Sequence, residues 1–134
     1  MELIKITPDK EKARNILQMS LLIEERIAME DRKRMMALII ADYYEIGKEL
    51  ITALLLIDGY KTLSHKDLIE YIEEKHPEFS AHEISVLNDL RVLRNKVSYE
   101  GFFADPSYLE RNEPLFKSVI RKLRNIIKRK LQPA

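Results

Sequence analysis

One segment constrains this chain more than any other, the stretch over residues 34–57. Met35, Leu38, Ile39, Ile46, Leu50, Ala53, Leu54 and Ile57 recur there at helical spacing and make one broad face, with Met36, Ile40 and Tyr43 beside it. The stretch is too long for an ordinary strand, and its period is that of a helix. A helix apolar around so much of its circumference belongs at the centre of a bundle, touching several neighbours or a second subunit. It is no membrane span, because uninterrupted apolar runs such as the five residues 53–57 fall far short of the roughly 20 a span requires. Gly47 sits in mid-helix, where Gly costs about 1 kcal/mol relative to Ala. The usual reason to keep one is close approach of another helix. Asp58 and Gly59 then stop the segment.

The rest of the chain reads as helices around this one. A first helix opens at Thr7, with Pro8 in its first position and Asp9 and Glu11 at the positive end of its dipole. Its apolar stripe is Ala13, Ile16, Leu17, Leu21, Ile27 and Ala28, and Ser20 and Glu24 share that side. Residues 30–34 hold the turn into the central helix, although no Gly or Pro marks it and a continuous helix is the alternative. Ser64 and Asp67 have capping-box spacing at the start of a third helix, with Leu63 and Leu68 at the staple positions. Pro77 limits that helix to about Lys75. Ser80 with Glu83, and Phe79 with Ile84, repeat the device for a fourth helix, which carries Ile84, Leu87, Leu90, Leu93 and Val97 and ends before Gly101. Residues 102–113 read as a connection, with a helical turn from Asp105 and Pro106. A fifth helix covers 114–131 on a stripe of Leu115, Val119, Leu123, Ile126, Ile127 and Leu131. No strand pattern competes. The expected architecture is all-α, an up-and-down bundle of four to five helices in one domain over residues 1–134.

Composition closes off several classes of chemistry. The 134 residues include no Cys, which excludes disulfides, thiolate metal sites and cysteine nucleophiles. His65, His76 and His82 lack the helical spacing of a zinc pair, so neither a metal nor another cofactor is expected. The first residues lack the basic-then-apolar pattern of a signal peptide, and the expected location is cytoplasmic, with no membrane association. The formal net charge is +1, but its distribution is uneven: residues 117–130 hold seven basic residues and no acidic one, and residues 66–83 hold six acidic and two basic. The plain reading of both runs is a solvated helix face; the sharper one is a phosphate-tracking surface on the last helix.

Candidate chemistry concentrates in residues 91–103. Arg91 and Arg94 are three apart, on one side of the fourth helix, and they continue the stripe of Ile84 and Leu87. Charges placed there need a partner. One reading pairs them with Asp42, Glu45 or Glu49 of the central helix. The other makes them a permanently charged clamp for phosphate. Tyr99 has two readings too, as an aromatic closing a helix end or as a phenol that binds phosphate or stacks on a base, as Phe102 and Phe103 also could.

The run Leu93, Arg94, Asn95, Lys96, Val97, Ser98, Tyr99 resembles the signature of the HEPN family, the helical nucleotide-binding domains of higher eukaryotes and prokaryotes. Tyr44 and Glu45, then residues 54–60, Leu63, Ser64, His65, Leu68 and Ile69 are similar to the family's central helix, Gly turn and next helix start. The resemblance covers residues 35–131. It implies a HEPN-like helical bundle, commonly a homodimer, with an RNA- or nucleotide-binding site at Arg91, Arg94, Asn95 and Tyr99. It also implies metal-independent endoribonuclease chemistry of the toxin–antitoxin kind, in which Arg94 would steady the phosphate and Asn95 would orient groups. Where the family has its motif His, this chain has Tyr99. A phenol of ordinary pKa near 10 is a poor base at neutral pH, so the expectation is binding with weak or no cleavage. The alternative is a non-catalytic interaction module working with a nucleotidyltransferase-type protein, with Tyr99 as a conceivable nucleotidyl acceptor and an apolar surface of the central helix kept for the partner. An active ribonuclease using His65 as base is a third reading. No spacing in the sequence links His65 to Arg94.

Overall fold

A computed structural model describes the backbone of residues 1–100 and 107–133, and the side chains of all of these except residues 98–100. Among the described residues there are five helices, α1 (Lys10–Met29), α2 (Met36–Asp58), α3 (His65–Lys75), α4 (Ala81–Glu100) and α5 (Ser107–Leu131), and two short strands, β1 (Ile4–Lys5) and β2 (Tyr60–Lys61). The protein is an all-α helical bundle. Among the described residues no helix is long and apolar enough to cross a membrane.

The broad apolar circumference of α2 is explained by its position. It packs against α1, α3, α4 and α5 and touches β2. Residues on nearly every side of it are buried, from Ile39, Ile40 and Tyr43 through Ile46, Leu50 and Ile51 to Leu54 and Leu55. Leu38 is the exception on its expected face, 55% exposed. The apolar surface that sequence reasoning left open for a partner is therefore covered within the chain. Leu21 of α1 and Leu115 of α5, both read as stripe residues, also face solvent. The inward positions of α5 that the stripe missed are Phe116, Ile120 and Arg124.

Helix boundaries follow from particular side chains. α1 begins later than Thr7, because Asp9 is the cap: its Oδ1 accepts from the Lys12 N–H at 3.0 Å. The turn to α2 needs neither Gly nor Pro, since Asp31 Oδ1 accepts from the N–H groups of Lys33 and Arg34 at 3.0 and 2.9 Å. α2 ends at Gly59, with φ at 89°, in the left-handed region open to Gly. A Cβ there would also sit 3.1 Å from the Ile6 carbonyl oxygen. That closeness reflects a feature the sequence did not suggest: β1 pairs antiparallel with β2, Ile4 opposite Lys61 and Lys5 opposite Tyr60. Two-residue strands carry no readable alternation.

Ser64 caps α3, accepting from the Asp67 N–H at 3.3 Å, but the box is half-made, since the Asp67 carboxylate accepts from the Glu2 N–H instead. The staple expected beside it is absent: Leu63 is 89% exposed. At α4 both halves form, Ser80 N–H to Glu83 Oε1 at 2.8 Å and Glu83 N–H to Ser80 Oγ at 3.1 Å, with Phe79 and Ile84 both buried. α5 starts at Ser107 and not at Pro114, which lies inside the helix. Buried Leu109 and Phe116, and the Tyr43 hydroxyl donating to Glu113 Oε2 at 2.5 Å, hold the extra turns in place. Asp105 and Pro106, expected to open a helical turn, and the Gly101 terminator lie outside the described residues.

Candidate functional site

The reciprocal Ser80–Glu83 cap fixes the phase of α4, so Leu87 and Leu90 turn toward α2 and α3 and are buried. One turn further on, Arg91 and Arg94 are half-buried. The carboxylates suggested as their partners are engaged elsewhere: Asp42 accepts from Arg26 at 2.9 Å, and Glu45 and Glu49 both pair with Lys48, at 2.8 and 3.4 Å. Arg91 Nε is buried with no hydrogen-bond partner among the described residues. The Arg94 guanidinium lies over the Tyr44 ring, 5.7 Å from its centroid, and its Nη1 donates to Asn95 Oδ1 at 3.5 Å.

A narrow cleft lies next to the Tyr44 ring. Tyr44, Gly47, Lys48 and Ile51 of α2 line it, with His65, Leu68 and Ile69 of α3 and Leu87 and Leu90 of α4. Its free volume is about 10 Å³, room for a single water molecule. Nothing as large as a nucleobase enters it, and Arg94 meets its edge through the Tyr44 ring. Gly47 forms part of the floor, and the expected close helix approach at Gly47 is an ordinary contact: a Cβ there would meet Leu87 Cδ2 at 3.6 Å.

The structure also makes the connection that spacing could not. His65, the first residue of α3, sets its ring 5.8 Å from the ring of Tyr44, the same ring that carries Arg94. Burial pushes the His65 imidazole below its ordinary pKa, and the charges of Lys48, Arg94 and Arg91 push it the same way against Glu45. Burial likewise raises the Tyr44 phenol, although Lys48, Arg91 and Arg94 oppose this. At neutral pH the rim therefore presents two guanidinium groups, a phenol that keeps its proton and a neutral imidazole. Burial opposes the charge on Lys48, yet Glu45 and Glu49 hold its ammonium above the usual range, so its charge is largely spoken for.

Tyr99 falls within the span of α4, but its side chain lies outside the described residues, as do Phe102 and Phe103. The structure thus sets Arg94, bonded to Asn95, and His65 against the one Tyr44 ring. Sequence reasoning had offered His65 as a base without a link to Arg94, and nothing in a sequence says that residues 44, 65 and 94 meet.

The basic run on α5 is not one solvated face: Arg124 is buried and several of the others are paired within the fold. Lys122 donates to Glu83 at 2.8 Å, Arg124 to Glu24 at 2.6 Å and Lys130 to Asp58 at 2.7 Å, while Arg129 lies 3.8 Å from Glu78. His76 is buried between Asp58 and Glu78, at 3.6 and 3.5 Å. No group of three or more His, Asp or Glu placed to hold a metal occurs among the described residues. Comparison with protein-family models, with curated proteins and with solved structures found no match for this chain.

Proposed function

We propose that this protein binds RNA or a nucleotide phosphate at the rim formed by Arg91, Arg94, Asn95 and Tyr44, as a HEPN-like domain with weak or no metal-independent ribonuclease activity. The observation that carries this reading is Arg91, which is half-buried with its Nε enclosed and without a hydrogen-bond partner among the described residues. Enclosing a guanidinium nitrogen so is unfavourable unless an acceptor completes it. Planar guanidinium groups suit a phosphate better than a point charge does, and Tyr44 offers a proton donor next to them. The motif position of the resemblance, Tyr99, is a phenol, which favours binding over proton abstraction. A homodimer in which two copies share such rims belongs to the same reading.

The test is binding of a labelled single-stranded RNA in EDTA at low salt, compared with Arg94→Ala. Affinity should fall by about tenfold or more on losing one charged contact, and the salt dependence should shrink by about 0.7 in slope for one phosphate contact. Unchanged affinity in the variant would sink the assignment. The alternative, an interaction module for a nucleotidyltransferase-type partner, predicts no RNA affinity and a stoichiometric companion, so copurification separates the two readings.

A further inference from the structure

Large apolar side chains that face solvent gather on α1, where Met19, Leu21, Leu22 and Met29 are 46% to 75% exposed. Scattered exposed apolar residues need no explanation, but these are ordered. Along the outer side of α1 the exposed residues Lys12, Asn15, Met19, Leu22, Arg26 and Met29 follow one another at alternate spacings of three and four. Those are the a and d positions of a helix pair, with an apolar centre and polar ends. Half-buried Ile16 and Ile23 flank the row, and an open groove of about 300 Å³ runs past them and Met19, bordered by Glu49 of α2. The inner side of α1 is already used, through Ala13, Ser20 and Ile27. α1 is therefore apolar on two opposite sides, and packing within one chain uses only one.

We infer that the outer face of α1 is a seam between two copies of this chain, packed antiparallel about a centre between Met19 and Leu22. Charge along the helix selects the occupant and its direction. The N-terminal end holds Lys10, Lys12 and Arg14 against one acid, Glu11. At the C-terminal end Arg26 is bonded to Asp42 and lies 3.9 Å from Glu30, which leaves exposed Glu25 as the charge in excess. A second copy running the opposite way sets basic end against acidic end, Met19 against Leu22, and each positive helix end beside a negative one. A parallel copy sets like ends together. Self-complementarity of this kind is what a two-fold interface requires. A helix of 20 residues is about 30 Å long. Its one face buries less than the roughly 800 Å² per partner of a standard interface, so the dimer is a weak one that dissociates at micromolar concentrations. α1 does not pack against α4 among the described residues. The seam is thus separate from the arginine rim, leaves it open, and does not depend on the RNA reading.

The experiment is sedimentation velocity on the full chain from micromolar to submillimolar concentration, without nucleic acid. The expected result is a monomer–dimer equilibrium whose dissociation constant rises by about tenfold or more in Met19→Glu and in Leu22→Glu. Denaturation midpoints of both variants should stay near the parent's, since both side chains face solvent in the single chain. Lys12→Glu and Glu25→Lys should each weaken the dimer several-fold, and the double variant, which restores opposite charges across an antiparallel seam, should recover most of the loss. A chain that stays monomeric at every concentration leaves the α1 face to another partner and overturns the inference. A dimer unmoved by Leu22→Glu joins elsewhere and overturns it too. A double variant no better than the single ones overturns the antiparallel arrangement.

Discussion

Two arginine sites on neighbouring helices show what separates a structural charge from one held for a ligand. Arg124 of α5 is 8% exposed and fully occupied: Nε donates to Ser20 Oγ at 3.3 Å, Nη1 to Glu24 at 2.6 Å and Nη2 to the Ser20 carbonyl at 3.0 Å. It ties α1 to α5, and it explains why Ser20 and Glu24 stand on the apolar side of α1. Arg91 of α4 is less deeply buried and less well served, with its Nε enclosed but unbonded among the described residues. Burial of an arginine says little about its purpose. The partner count separates the two, because a buried polar atom left unbonded costs about 1–3 kcal/mol that folding does not require.

The largest effect should come from emptying the occupied site. Arg124→Ala removes three hydrogen bonds and leaves Glu24 and Ser20 without their donor, so unfolding free energy should fall by about 3 kcal/mol in chemical denaturation. RNA affinity, measured where the variant is folded, should not change.

The cluster around Asp58 extends the comparison. Burial would raise the Asp58 carboxyl, but His76 at 3.6 Å and hydrogen bonds from Lys130 and Tyr71 hold it far below the ordinary range. A carboxyl whose folded pKa is depressed binds fewer protons folded than unfolded. Its contribution is complete above the unfolded value of about 4 and is lost as pH falls below it. Denaturation midpoints should therefore hold above about pH 4 and fall progressively as pH drops below it toward the depressed folded value. Asp58→Asn should lower stability by about 2 kcal/mol at pH 7 and flatten the acid limb.

At the rim the balance reverses. Arg94→Ala should weaken RNA binding by about tenfold and cost less stability than Arg124→Ala, since its part-exposed contact with Tyr44 contributes about 1 kcal/mol or less. The smallest effect is at the cleft floor. Gly47→Ala meets Leu87 Cδ2 at 3.6 Å, an ordinary contact. Replacing a mid-helix Gly should stabilise the protein by up to about 1 kcal/mol, and a loss would mean that α4 sits closer to α2 than described.

Much of the bundle was legible in the sequence, and the reasons are local. Ser80 with Glu83, Pro77, Gly59 and the α2 stripe each act through neighbours within a turn or two, so the pattern is written where the effect occurs. Pro114 misled because a proline at a helix start and one inside a helix look alike in sequence; Tyr43 and Arg32, which hold Glu113, decide between them from far along the chain. The Leu63 staple failed since Leu68 found its cover within the core. Arg91, Arg94 and Asn95 were legible as a site by residue type and spacing. The meeting of Tyr44 and His65 with Arg94 was not, because only the packing of α2, α3 and α4 brings the three together. The Arg124 clasp was hidden in the same way, with partners 104 positions away.

On the proposed reading α4 presents Arg94 to an anion whereas α5 holds Arg124 for the fold. A crossed measurement on Arg94→Ala and Arg124→Ala, each followed for denaturation free energy and for affinity toward the same single-stranded RNA, separates the two roles. Arg94→Ala should lose affinity and keep most of its stability, and Arg124→Ala should lose stability and keep affinity. An Arg94→Ala protein that binds RNA as tightly as the parent, or that loses as much stability as Arg124→Ala, would contradict that reading.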